Sequence, residues 1–332
     1  MREYITIDTV AGLAQLARLD RDQTQIVMIQ GITEAFSLPP LPKSVVVLTI
    51  MDAELVGDVV IGEGVEVLHL YKVTSEVPLS GWTWSRSLVE LFIDRCDYPV
   101  VDLRASSLEV LSLQSSKVGG DLVLLPASLS ELNIYEPTFS ELPRLPANLE
   151  SLTLSYHESI TDYSGAMGAK VKTLQIGNAI PLYEYFSEVR ELIVPYLEGR
   201  APEISLTHLE SLAFEECEFD GPVEINAPNL KTLKIGYCED IDLQGAFTDE
   251  VTTLILDHYH GFPESDDWFS LKRLEIKSDP EFITDVPHLP WLKWLTVSEP
   301  VRTNGIMVST LREYRAAWGM GTRKKRAMPS YR

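Results

Sequence analysis

The chain has 332 residues, 45% hydrophobic and 23% charged, which is ample apolar material for a core. No stretch approaches the roughly 18 uninterrupted apolar residues of a membrane-spanning helix, and Met1–Asp8 holds no apolar run of signal-peptide type. Net charge is −21; eight Lys/Arg against Glu313 give the segment from Arg302 onward +7, leaving −28 on residues 1–301, a body that would repel phosphates and so argues against nucleic acid or anionic membrane as its main ligand.

In chain order, residues 8–19 read as a first helical turn or two. Asp8 or Thr9 stands at the N-cap, and Val10, Leu13, Leu16 and Ala17 form one apolar stripe. Thr24–Ile29 reads as a degenerate strand. From Val45 a single phrase then recurs thirteen times: apolar, two variable residues, Leu, one variable residue, apolar. Its fourth position is Leu48, 68, 91, 111, 132, 152, 174, 192, 212, 233, 254, 274 and 295, with steps of 20, 23, 20, 21, 20, 22, 18, 20, 21, 21, 20 and 21. A fixed period of this size marks a solenoid of stacked units. Positions 1, 4 and 6 of each phrase point to one side of a short strand and positions 3 and 5 to the other. One such strand cannot bury its apolar side alone, so the array is stable only as a stack.

Between phrases lie about 14 residues, too few for a long helix and two connections. Several of these stretches carry prolines, as in Leu38-Pro-Pro-Leu-Pro42, Leu142-Pro-Arg-Leu-Pro146 and Val286-Pro-His-Leu-Pro290. Proline favours extended or turn backbone, so this side is expected to be extended or 3₁₀. Beyond the array, Thr310-x-x-Glu313 predicts a capping box and a short helix through Trp318, stopped by Gly319 and Gly321. Thr322–Arg332 reads as disordered. The resulting organisation is an N-terminal cap at 1–35, an array of about 13 repeats at 36–300, a cap helix at 301–321 and a basic tail at 322–332.

The chain resembles the leucine-rich repeat family over about residues 24–300, and Leu142–Leu154 is similar to the short bacterial-type phrase L-P-x-L-P-x-x-L-x-x-L-x-L. The resemblance implies an α/β right-handed solenoid with a curved parallel β-sheet on its concave face, a mostly irregular, extended or 3₁₀ convex side, and short helical caps. The family places Asn or Cys at position 9. Here Cys96, Cys217 and Cys238, all the cysteines of the chain, fall on that position, and no repeat has Asn there. Locally irregular turns are therefore expected after the strands.

What chemistry the chain carries follows from these positions. Three cysteines on one ladder position read as small, buried and inert thiols of a reducing, intracellular compartment, with no acceptor for N-glycosylation. There is no G-x-S-x-G, no phosphate-loop phrase and no H-E-x-x-H. The pair His258 and His260 has chelating spacing but no matching ligand motif. The expectation is no catalytic residue, no metal and no cofactor. Positions 3, 5, 7 and 8 supply the candidate partner-binding face: Tyr71, Phe92, Tyr135, Tyr156, Tyr196, Glu215, Tyr237, Asp257, His258 and Trp294. Aromatics bury large area with few rotatable bonds, and carboxylates beside them suit Lys/Arg-rich partners. The opposing reading is that the tyrosines simply pack along the ladder.

The expected function is a non-enzymatic scaffold for a basic protein partner, monomeric on its own. The alternatives are a substrate-recognition adaptor of a ubiquitin-ligase complex and a pathogen effector of leucine-rich repeat type. The expected location is cytoplasmic, or nuclear if Arg323–Arg326 acts as a localisation signal.

Overall fold

The computed structural model describes residues 3–19, 25–98, 100–116, 123–177, 185–238, 241–245, 250–259, 262–263, 268, 270–278 and 285–320. The basic tail Arg323–Arg326, together with Gly321, lies outside them, as does His260. The chain divides into two compact units, one of residues 1–178 with 184–189 and one of 179–183 with 190–332.

The first unit is a stack of parallel strands hydrogen-bonded in chain order: β1 (Glu3–Ile7), β2 (Gln25–Gln30), β3 (Val45–Leu55), β4 (Val67–Ser75), β5 (Glu90–Asp94), β6 (Val110–Gln114), β7 (Glu131–Tyr135), β8 (Ser151–Ser155) and β9 (Thr173–Ile176). The second repeats the arrangement with β10 (Glu191–Pro195), β11 (Ser211–Glu215), β12 (Thr232–Gly236), β13 (Thr253–Asp257), β14 (Arg273–Lys277) and β15 (Trp294–Val297). Each is a parallel β-solenoid with one turn every 21 residues or so.

The register is set by the repeated leucine. Leu48 faces Leu68, which faces Leu91, then Leu111, Leu132, Leu152 and Leu174. In the second unit Leu192 faces Leu212, then Leu233, Leu254, Leu274 and Leu295. All but the last, which belongs to the final strand, are fully buried. A one-residue slip would turn every such leucine to the outer face, so the period specifies the pairing. Each buried leucine contributes about 2 kcal/mol through area removed from water.

The far side of the turns is extended or 3₁₀, as the prolines predict. Val101–Asp102 pairs in parallel with Val123–Leu124, and Ile204–Ser205, Val223–Asn226 and Leu243–Gln244 form a small second sheet. Short 3₁₀ turns lie at Leu79–Gly81 and Ser164–Ala166. Successive turns approach closely here. A Cβ on Gly64 would lie 2.0 Å from the Lys43 carbonyl oxygen, and one on Gly165 would lie 2.1 Å from that of Leu142.

The ends differ from expectation in two respects. Residues 11–18 form a 3₁₀ helix, Ala11–Arg18, entered through Val10, with the Gly12 amide donating to the hydroxyl of Thr9, one of the two expected caps, at 3.1 Å. Its i→i−3 bonds, such as Leu13 N to Val10 O at 3.2 Å and Leu19 N to Leu16 O at 3.3 Å, fit a short link between two parallel strands. The first of those strands, Glu3–Ile7, was not expected; it continues the sheet one rung beyond β2, with Ile7 opposite Ile29. After β15, a hairpin of β16 (Val301–Thr303) and β17 (Ile306–Val308) turns through Asn304-Gly305, both at positive φ. Asn-Gly is the preferred pair for such a turn. Helix α1 (Leu311–Ala317) then opens on a complete capping box between Thr310 and Glu313. Its buried Tyr314 donates to the Pro287 carbonyl at 2.7 Å and accepts from the Leu289 amide at 2.6 Å, tying the helix to the last turn.

Candidate partner-binding rim

The turn is regular in ten of the repeats, though not in the last two, where Ser278 and Glu299 stand at position 8; this corrects the expectation of irregular turns for most of the array. Position 8 of the phrase adopts the left-handed backbone region in ten repeats, at Asp52, Lys72, Arg95, Ser115, Glu136, Tyr156, Tyr196, Glu216, Tyr237 and His258, with φ between 45 and 55°. None is glycine. For L-residues this region costs about 1 kcal/mol each. Repeated hydrogen bonds offset that cost: the amide at position 8 donates to the position-7 carbonyl of the next turn. Arg95 N reaches Gln114 O at 2.9 Å, Ser115 N reaches Tyr135 O at 2.9 Å, Glu216 N reaches Gly236 O at 2.8 Å and Tyr237 N reaches Asp257 O at 2.7 Å.

Position 9 then turns inward and is buried in both units. Cys96 and Ser116 in the first unit, and Cys217 and Cys238 in the second, stitch turn to turn. The Val73 amide donates to Cys96 Sγ at 3.4 Å, the Cys96 amide to Ser116 Oγ at 3.3 Å and the Cys217 amide to Cys238 Sγ at 3.3 Å. The side chains donate in turn to strand-end carbonyls: Ser116 Oγ to Gln114 O at 2.9 Å and Cys217 Sγ to Val194 O at 3.1 Å. A small polar atom at this site is therefore enough to hold the turn. Burial pushes the Cys96 thiol up to about 11, and hydrogen bonding with Cys217 together with burial raises that of Cys238. All three cysteines are free. His157, at the same position, is buried with neither ring nitrogen hydrogen-bonded; burial lowers its pKa to about 4.

The sequence-predicted residues fall into three places. On the sheet face of the first unit, Phe92 packs edge-on against His69, 4.4 Å between ring centroids, and burial lowers the His69 pKa. Tyr71 and Tyr135, at position 7, are half-buried. Tyr71 is bracketed by cations: Arg95 Nη1 donates to its hydroxyl at 3.2 Å and Lys72 Nζ lies 5.0 Å from its ring centre.

At the strand-end rim stand the position-8 residues. Tyr156 of the first unit is 56% exposed, and Tyr196 and Tyr237 of the second are 53% and 57% exposed. In the second unit Tyr196, Glu216, Tyr237 and His258 follow one another, each directly after its strand, β10, β11, β12 and β13, neighbours about 4.8 Å apart along the ladder. Tyr237 and His258 stack, with centroids 4.5 Å apart and planes at 11°. His258 Nδ1 lies 2.8 Å from Asp257 Oδ1. Lys277 Nζ lies 3.6 Å from Asp257 Oδ2, and Lys234 Nζ lies 2.6 Å from Glu215 Oε1. The rim thus presents flat rings edged by carboxylates, several already balanced by a neighbouring lysine.

Trp294 stands apart, at the opposite end of its strand, and is 59% exposed. Lys272, Arg273 and Thr253 beside it are residues the sequence reading did not select. Their signal, two cations at positions 2 and 3 of one repeat beside Thr253 and Trp294 at position 3 of its neighbours, is visible only after the repeats are superimposed. Among the described residues, His, Cys, Asp and Glu are nowhere gathered in a group of three that would hold a metal ion. None of their helices is long and apolar enough to cross a membrane. Comparison with protein-family models, with curated proteins and with solved structures found no match to this chain.

Proposed function

We propose that this chain is a leucine-rich repeat protein of the short-repeat type, with a right-handed solenoid, that acts without chemistry of its own and holds a basic protein partner. The partner is engaged at the strand-end rim, with Tyr196, Tyr237 and His258 as apolar contacts and Glu215, Glu216 and Asp257 as the acidic edge.

One observation carries this reading: three exposed tyrosines occupy a backbone position at which a bulky side chain is disfavoured. Nothing in the turn itself calls for an aromatic ring, since Asp, Lys, Arg, Ser and Glu adopt the same φ in other repeats. Tyrosine at an exposed edge supplies contact area at small entropic cost, and its ring accepts Lys or Arg over its face. The body charge of −28 on residues 1–301 steers a basic partner and repels acidic ones.

The test replaces Tyr156, Tyr196 and Tyr237 together by Ala in the full chain. Binding of a labelled Lys/Arg-rich peptide is followed by anisotropy, with a Glu-rich peptide as control. The reading expects salt-sensitive binding of the basic peptide by the parent chain and a loss of about 10-fold or more in the variant, at unchanged far-UV spectrum. Equal binding by both chains rejects it.

A further inference from the structure

The strands that carry the rim present a second, opposite chemistry at their starting ends. On β13, β14 and β15 the phrase places Thr253, Arg273 and Trp294 in register at position 3. Together with Thr252, Lys272 and Thr296 they line a shallow open groove of about 460 Å³, its lining more apolar than polar. Trp294 forms a wall with much of its ring exposed.

The charge here runs against the rest of the body. Arg273 Nη2 is held by Glu275 Oε2 at 3.1 Å. Lys272 makes no side-chain ion pair among the described residues; its backbone amide donates to the Thr252 carbonyl at 2.9 Å, and its own carbonyl accepts from the amides of Lys293 and Trp294 at 2.7 and 3.0 Å. The lining therefore carries two cations partly offset by one adjacent carboxylate, a local surplus of one positive charge. An unpaired lysine and an exposed indole lining one groove, with threonine hydroxyls beside them, are complementary to a planar apolar group bearing one negative charge. A monoanion matches the surplus, whereas a phosphoryl dianion exceeds it.

We propose that this groove takes an acidic side chain, a Glu or Asp flanked by an aromatic residue, from a peptide segment of the protein partner. The inference rests on the partner-binding reading and sharpens it. Five residues of strand separate the two ends, about 17 Å. A partner segment would lie across the strands with its basic part at the Tyr196–His258 rim and its carboxylate at Lys272. The two ends together would select a segment by the order of its charges, which a uniformly acidic surface cannot do.

The groove can be tested without the partner. Phenylacetate, phenylacetamide, phenethylamine and phenyl phosphate are titrated into the ¹⁵N-labelled full chain, each to about 20 mM, the range in which single fragments bind. The expected result is a saturable shift of the Trp294 indole N–H resonance with phenylacetate and weaker or no response to the amide and the amine. Lys272→Ala should weaken phenylacetate about 3- to 5-fold, as expected for one exposed charge contact. The Tyr196→Ala/Tyr237→Ala chain should bind phenylacetate as the parent does. No Trp294 response to phenylacetate, or an equal response to the amine, overturns the proposal. A phenyl phosphate affinity exceeding that of phenylacetate overturns the assignment to a carboxylate. Because the rim variant reports on basic-peptide binding and Lys272→Ala on the groove, failure of one is separable from failure of the other.

Discussion

The rims of the two units share one backbone and carry different side chains. In the first unit position 8 runs Asp52, Lys72, Arg95, Ser115 and Glu136 before reaching Tyr156; in the second it runs Tyr196, Glu216, Tyr237 and His258. The first row largely satisfies itself. Lys72 lies 3.7 Å from Asp52, Arg95 donates to Tyr71, and Ser115 donates to Glu136 at 2.5 Å. The second row turns stacked or exposed rings outward. Equal φ values with unequal chemistry show that the fold requires a left-handed corner and leaves its side chain open. The aromatic row is thus where something other than folding can have chosen the residues.

The comparison breaks most readily in the core that both units share. Leu152→Ala in the first unit and Leu233→Ala in the second should each cost about 3 kcal/mol in denaturant unfolding, because each leaves a cavity at a fully buried rung. A cost below about 1 kcal/mol in either would mean that the ladder leucines of that unit are not its core.

A contrast of nearly the same size separates the buried position-9 residues. His157 is neutral in the fold, with a pKa of about 4 against an ordinary 6.5. The unfolded chain therefore takes up the proton first as pH falls. Stability from this group is complete above about pH 6.5 and is lost progressively towards pH 4, on the order of 3 kcal/mol in all. His157→Ser, which places at this turn the residue found at Ser116, should flatten that part of the profile. An unchanged slope between pH 6.5 and 4 would assign the acid sensitivity elsewhere.

Smaller still is the effect of the corner itself. Asn tolerates the left-handed region better than Arg or Tyr. Arg95→Asn and Tyr237→Asn should each raise stability by a few tenths to about 1 kcal/mol, less whatever Arg95 contributes through Tyr71. Only the second should change basic-peptide binding. The smallest effect concerns the ion pairs that run from turn to turn, such as Lys231 with Glu210 at 2.9 Å and Lys172 with Glu150 at 2.5 Å. All are solvent-exposed, so 0.5 M salt, about a 4 Å screening length, should lower stability by less than about 1 kcal/mol while weakening partner association much more.

Much of the fold is legible in the sequence, for a physical reason. A strand buried on one side must repeat its apolar residues at fixed offsets, so the leucine period gives the rungs, their register and the place of all three cysteines. The degenerate strand near Val27 is found one rung before Leu48, as the spacing requires. The left-handed corner is not legible, because its usual signals, Gly and Asn, are absent from position 8 in the ten repeats where it occurs; a shared hydrogen bond, visible only in three dimensions, stands in for them. Strand β1 escapes notice because Glu3–Ile7 lacks the phrase and is mostly exposed. The rim tyrosines are legible as a row, yet the distinction between Tyr71 or Tyr135, half-buried at position 7, and Tyr196 or Tyr237, exposed at position 8, depends on one residue of offset in a turn. The Lys272–Trp294 groove draws on residues some 20 positions apart, and no local pattern announces it.

The central claim is that the second unit's rim aromatics serve a partner and not the turn. The most direct measurement makes Tyr196→Asn/Tyr237→Asn in the full chain and records thermal unfolding and basic-peptide binding on the same sample. The account predicts a melting temperature equal to or above the parent's, with binding weakened about 10-fold or more. Retained binding, or a melting temperature several degrees lower, would show instead that the tyrosines belong to the packing of the ladder.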